Sequence, residues 1–164
     1  MFDDAYEKIA LEENAELVVT DIGAKSVFSG VEKSYLLKVP YKNYVIEIKN
    51  SHSPDPVGSF FVEIPNVRNE VRFRIRTKSH FVKLITFSSS ITEVKSKDGN
   101  LVKDIKSSDS FLELESLIEK TQFEPEIFAK TVNDRLIIMT EYHTMLADKT
   151  SFINPMLNFY KYLI

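Results

Sequence analysis

Apolar and polar residues along this chain repeat with two different periods, and the switches between them mark out its elements. In "FDDAYEKIALEEN", Phe2, Ala5, Tyr6, Ile9 and Ala10 recur at three- and four-residue steps. That spacing stacks them on one face of a helix. Asp3, Asp4 and Glu7 lie early in it, where the helix dipole favours negative charge. The period then falls to two. "ELVVTDI" and "KSVFSGV", separated by Gly23, read as short strands, and "KSYLLKV" and "NYVIEIK", joined through "PYK", as two more. In the last of these Tyr44, Ile46 and Ile48 share one face, and Asn43, Glu47 and Lys49 the other. Pro40 is expected between strands, because a proline cannot donate to a ladder. "NSHSPDPVG", residues 50 to 58, reads as a loop.

"SFFVEIP" and "EVRFRIRT" read as a hairpin about "NVRN", residues 66 to 69. In that register Ile64 faces Val71, Val62 faces Phe73 and Phe60 faces Ile75, an apolar side. The opposite side holds Phe61, Glu63, Arg72, Arg74 and Arg76, with Glu63 facing Arg72. A slip of one residue would mix the two faces, so the alternation supports the register. "HFVKLITF" reads as a further strand, and "SSSITEVKSKDGNLVKD" as a polar stretch turning back at Asp98-Gly99. "SDSFLELESLIEK" reads as a helix with capping-box spacing at Ser110 and Glu113 and a buried stripe of Phe111, Leu114, Leu117 and Ile118. "EIFAKTVNDRLIIMTEYH" reads as two strands around Asn133-Asp134. "INPMLNFYKYLI" reads as a final helix capped by Asn154, with Pro155 at its first position. The order of elements predicts one α+β domain over residues 1–164, built mainly on antiparallel sheet. Its helices are expected at the N-terminus, near 110–120 and at the C-terminus.

Composition supports a core-forming chain. It has 164 residues, 43% of them hydrophobic, with 12 Phe, 7 Tyr and no Trp. No apolar run approaches the ~20 residues needed to span a bilayer. The N-terminus lacks the apolar stretch of a secretory signal. A cytoplasmic location is the expectation. The absence of cysteine excludes disulfides, thiol nucleophiles and Cys-ligated metals.

Net charge is −3, which argues against a dedicated nucleic-acid binder. The charge is nonetheless uneven. The first sixteen residues are acidic, and the stretch from Arg68 to Lys83 is basic. Arg72, Arg74, Arg76 and Lys78 occupy every second position of one strand, with Phe61 on the same predicted face. An aromatic ring inside a positive groove is how a polyanion is held. Phe61, Arg72, Arg74, Arg76 and Lys78 are therefore the candidate ligand-binding residues. The competing reading is a solvated sheet face neutralised by Glu63 and Glu47, or one covered by the acidic first helix.

Catalytic signals are weak. His52, His80 and His143 show no metal-ligand spacing. His52 has Asp55 nearby and His143 has Glu141, carboxylates that could orient an imidazole as a general base requires. "SSS" at 88–90 lacks a nucleophile elbow. The acids Asp104, Asp109 and Glu113 lie at a helix start, where capping accounts for Asp109 and Glu113. With four glycines in all, no phosphate-cradling loop is expected. No cofactor or metal is expected. The aromatic C-terminus, with Phe159, Tyr160, Tyr162 and Leu163, is expected to close the chain's own core or to meet a second copy.

The leading functional expectation is a non-enzymatic protein-interaction module, binding a protein partner or itself as a dimer. The alternative is a binder of an anionic ligand or nucleic acid through strand 72–78. The third reading is an enzyme with a site near His52 or His143.

Overall fold

A computed structural model describes residues 2–23, 32–51, 57–78, 90–121, 123–143 and 150–164. The elements follow in the order α1 (Phe2–Glu12), β1 (Glu16–Gly23), β2 (Glu32–Tyr41), β3 (Tyr44–Ser51), β4 (Val57–Pro65), β5 (Arg72–Thr77), β6 (Thr92–Ser96), α2 (Gly99–Ser107), α3 (Asp109–Lys120), β7 (Glu126–Val132), β8 (Arg135–His143) and α4 (Ile153–Leu163). The eight strands form one antiparallel sheet in the order β1-β2-β3-β4-β8-β7-β5-β6. The α+β architecture, with a helix at each end of the chain and one at 109–120, is that expected.

One face of the sheet makes the core. Leu37, Val39, Ile46, Ile48, Phe60, Val62, Ile75, Ile127 and Ile138 are buried on it. Helix α1 lays Tyr6 on Tyr35, the two rings stacked 4.3 Å apart. Helix α4 brings the Tyr160 ring to 5.3 Å from Phe60, and α3 brings Phe111 to 5.8 Å from Phe159. The C-terminal aromatics thus close the chain's own core: Phe159 and Tyr160 are buried, while Tyr162 is exposed. Among the described residues no helix is long and apolar enough to cross a membrane.

The alternation assigns faces correctly but misplaces neighbours. Phe60, Val62, Ile64, Phe73 and Ile75 are buried together, as the period-two pattern requires. Yet β4 and β5 do not form a hairpin, because β8 and β7 lie between them. β4 pairs with β8 over nine residues, from Val57 opposite His143 to Pro65 opposite Arg135. Residues 66–71 do not reverse. They run along the end of the β7–β8 hairpin, where Val67 N–H donates to the Asp134 carbonyl at 2.9 Å and Val71 N–H to Thr131 Oγ1 at 3.0 Å. Parity fixes which way a side chain points and is blind to which strand lies alongside. The β7–β8 turn does fall at Asn133-Asp134, both with positive φ (50° and 59°), which Asn and Asp tolerate.

Four local expectations are corrected. Pro40 lies inside β2, opposite Val45; β1 pairs only as far as Lys38, so Pro40 sits where β2 has one neighbour and its missing N–H costs nothing. Asp98-Gly99 is a helix start, not a hairpin turn: Asp98 accepts from the N–H groups of Asn100 (2.9 Å) and Leu101 (3.2 Å). Asp suits both roles, and the helical spacing of Leu101 and Ile105 decides between them. Helix α3 is capped by Ser108, which accepts from Phe111 N–H at 3.3 Å, whereas Ser110 Oγ is buried with no partner among the described residues. Helix α4 begins at Ile153 after buried Phe152, with no side-chain cap, so Asn154 lies within it. The expected strands "KSVFSGV" and "HFVKLITF" and most of the loop at 50–58 lie outside the described residues.

Gly58 in β4 shows how tightly the core face is packed. A Cβ there would collide with Asn50 Oδ1 and the Tyr142 ring. Gly58→Ala is expected to cost about 1–3 kcal/mol as an overpacking change. Each kcal/mol corresponds to roughly 2–4 °C in a thermal melt of a chain this size, and an unchanged melting temperature would contradict the packing.

Candidate functional site

The other face of the sheet holds the basic strand. Opposed residues on antiparallel strands share a face, so the registers define rows of side chains across it. One row runs Lys95, Arg74, Phe128, Met139, Phe61, Glu47, Lys38, Glu16 from β6 to β1. The next runs Arg72, Lys130, Ile137, Glu63. A third holds Glu93, Arg76, Glu126, Glu141 and Ser59.

Where this face meets the start of α2 there is a hollow of about 1140 Å³. Phe128, Val132, Ile137 and Met139 supply apolar surface. Among the described residues Arg72, Arg74, Lys95, Lys97, Lys103 and Lys130 line it with six cations, and no carboxylate lines it. The cations come from four elements or their ends. Arg72 and Arg74 lie on β5, Lys95 on β6 with Lys97 just beyond, Lys130 on β7 and Lys103 on α2. The β5 neighbours that supply them are β6 and β7, strands the expected hairpin did not include.

Some of this charge is already answered. Glu126, at the first position of β7, accepts from Arg74 Nε at 2.7 Å and lies 3.0 Å from Arg76 Nε. The Arg74 guanidinium also sits 4.8 Å from the Phe128 ring centroid, a cation–π contact. Lys95 pairs with Glu93 at 3.1 Å. Among the described residues Arg72, Lys97, Lys103 and Lys130 have no carboxylate in ion-pairing range.

The five sequence candidates therefore separate. Arg72 and Arg74 line the hollow, and Arg76 is drawn to Glu126 at its edge. Phe61 lies on the same face two strands from Phe128, reached through Met139. Lys78 follows the end of β5 and donates to the Ser90 carbonyl at 3.4 Å. The expected neutralising acids are elsewhere: Glu63 pairs with Arg135 at 2.7 Å, not with Arg72, and Glu47 pairs with Lys49 at 3.2 Å. Helix α1 does not cover the arginines either, since it packs on β1 and β2 at the far end of the sheet. Glu126 is the acid that sequence reasoning missed. Its place at a strand start says nothing of β5 until the pairing is known.

The other chemical candidates come to little. His143 is exposed at the end of β8, opposite Val57, and its imidazole has no hydrogen-bond partner among the described residues. His52 and His80 lie outside the described residues. No cluster of three or more His, Cys, Asp or Glu suited to a metal is present among the described residues. Ser90 is engaged with Thr92 and with Glu115, whose carboxylate also accepts from Thr92 Oγ1 at 2.5 Å. No family model, curated protein or solved structure matches this chain.

Proposed function

We propose that this chain is a non-enzymatic binding module whose partner is an amphipathic anion, held in the hollow between the sheet and α2. The observation that supports the reading is that, among the described residues, six cations and no carboxylate surround an apolar surface in a concavity of about 1140 Å³. Ligand sites are concave and mostly apolar, with a few convergent polar groups that fix orientation. Four cations around one hollow attract an anion there, more strongly at low salt. A long polyanion fits less well, because Glu47, Glu63 and Glu141 interrupt any positive track across the same face.

A naphthalene sulfonate dye, an apolar body with one anionic group, probes the site directly. It is expected to bind the folded chain with a fluorescence gain that weakens as salt rises. Arg72→Glu/Lys130→Glu is expected to weaken binding about tenfold, equivalent to about 1.4 kcal/mol. Lys49→Glu, a charge reversal at the other end of the sheet, is the control and should leave binding unchanged. Equal binding by parent and double variant, with circular dichroism showing both folded, would refute the reading. Glu126→Gln should act in the opposite direction. It releases Arg74 and Arg76 from their shared carboxylate, so dye affinity is expected to rise about two- to fivefold.

A further inference from the structure

The charge around the hollow is lopsided, and the lopsidedness says what shape of anion fits. The lining cations without carboxylate partners among the described residues, Arg72, Lys97, Lys103 and Lys130, all belong to the end formed by β5, β6, β7 and α2. From that end an apolar strip leads away across the strands. Phe128 is directly opposite Met139, and Met139 directly opposite Phe61. At a spacing of ~4.8 Å between strands, the strip is about 10 Å from its first to its last residue. It stops at Glu47, opposite Phe61, where a carboxylate would repel a second anionic group. A charged head at one end and a hydrocarbon body along the strip satisfy both halves.

The number of cations bears on the head. A single carboxylate would leave most of the four unanswered. A phosphate monoester carries about −1.5 to −2 at neutral pH and offers three acceptor oxygens. Arginine binds phosphate through two parallel N–H donors, and lysine binds it as a point charge. Building on the binding reading above, we propose that the occupant is a single-chain lipid phosphate monoester. Its phosphate lies among Arg72, Lys97, Lys103 and Lys130, and its acyl chain along Phe128, Met139 and Phe61.

Calorimetric titration with monomeric octanoyl lysophosphatidate, whose acyl chain matches the length of the strip, tests this. Lysophosphatidylcholine of the same chain length, octanoate and inorganic phosphate serve as comparisons. Lysophosphatidate is expected to bind at least tenfold more tightly than lysophosphatidylcholine, with octanoate between them and inorganic phosphate weakest. Lys97→Glu/Lys103→Glu should remove the preference for the phosphate monoester head over lysophosphatidylcholine. Met139→Ser, which removes apolar surface without adding charge, should weaken both lysolipids and spare inorganic phosphate. If the dye binds but the two lysolipids bind equally, or inorganic phosphate competes as well as the whole lipid, the lipid phosphate assignment fails and the binding reading stands. The same follows if an acidic amphipathic peptide or an oligonucleotide displaces the dye better than lysophosphatidate does. If neither dye nor lipid binds the folded chain, both fall.

Discussion

Raising the pH from 9 to 12 is expected to unfold this chain cooperatively. The cause is three tyrosine hydroxyls on the core side of the sheet. Burial raises the pKa of Tyr6, Tyr142 and Tyr160 above the ordinary tyrosine value; the hydrogen bond that Asn50 donates to Tyr6 opposes this only in part. The folded chain therefore keeps three protons that the unfolded chain gives up near pH 10. Because the folded values are the raised ones, the contribution is intact below about pH 10 and is lost as pH climbs toward them. Each tyrosine removes about 1.4 kcal/mol per pH unit in that window, so three remove about 8 kcal/mol by pH 12. That is comparable with the whole stability of an ordinary domain, about 5–15 kcal/mol. Tyrosinate absorbance and far-ultraviolet circular dichroism, followed together, check it. Part of the absorbance should appear only in step with loss of structure. Tyr160→Phe should make the alkaline loss shallower by about one-third of its slope, since one of three linked protons is gone. Full tyrosinate absorbance near pH 10 from a chain that is still folded would overturn the account.

The fold was legible in the sequence wherever a single residue's environment decides, and illegible wherever a partner decides. Phe60, Val62, Phe73 and Ile75 alternate with polar neighbours, and strand parity alone places them inside. Tyr6 and Ile9, or Phe111, Leu114 and Ile118, do the same at helical spacing. Pairing is a competition between strands that all present the same alternation. β4 finds nine register partners on β8, and nothing within 57–65 says so. The candidate site fails in the same way. Arg72 and Arg74 were visible as a row. Lys97, Lys103 and Lys130 join them only because β6, α2 and β7 converge there. Glu126 joins from the β7 side, and it explains why Arg74 and Arg76 are the least available of the basic row. The strand's charge is thus divided by its neighbours into a neutralised end and a hungry one. On the proposed reading that division orients the bound anion, whereas an undivided row would attract anions without orienting them.

Asn50→Leu is expected to destabilise the chain by about 2–6 kcal/mol, because it orphans two buried hydroxyls at once. Asn50 is itself buried near the end of β3. Its Nδ2 donates to the Tyr6 hydroxyl at 2.5 Å, and its Oδ1 accepts from the Tyr142 hydroxyl at 2.6 Å. One amide thereby ties α1, β3 and β8 together across the core. Leucine has nearly the same shape, so little cavity opens and the loss reads out hydrogen bonding rather than volume. The triple variant Asn50→Leu/Tyr6→Phe/Tyr142→Phe removes the stranded hydroxyls as well. It is expected to recover most of the loss, since replacing all partners by apolar groups of like shape is close to neutral. Urea denaturation of the parent, single and triple variants gives the three free energies directly. If the triple variant is no more stable than Asn50→Leu, the amide acts through packing beside Gly58 and not through its hydroxyl partners. If it recovers, the polar knot contributes no net stability over an apolar core, and its consequence is geometric: with both amide groups engaged, α1 can seat only where Tyr6 meets Asn50 and Tyr35.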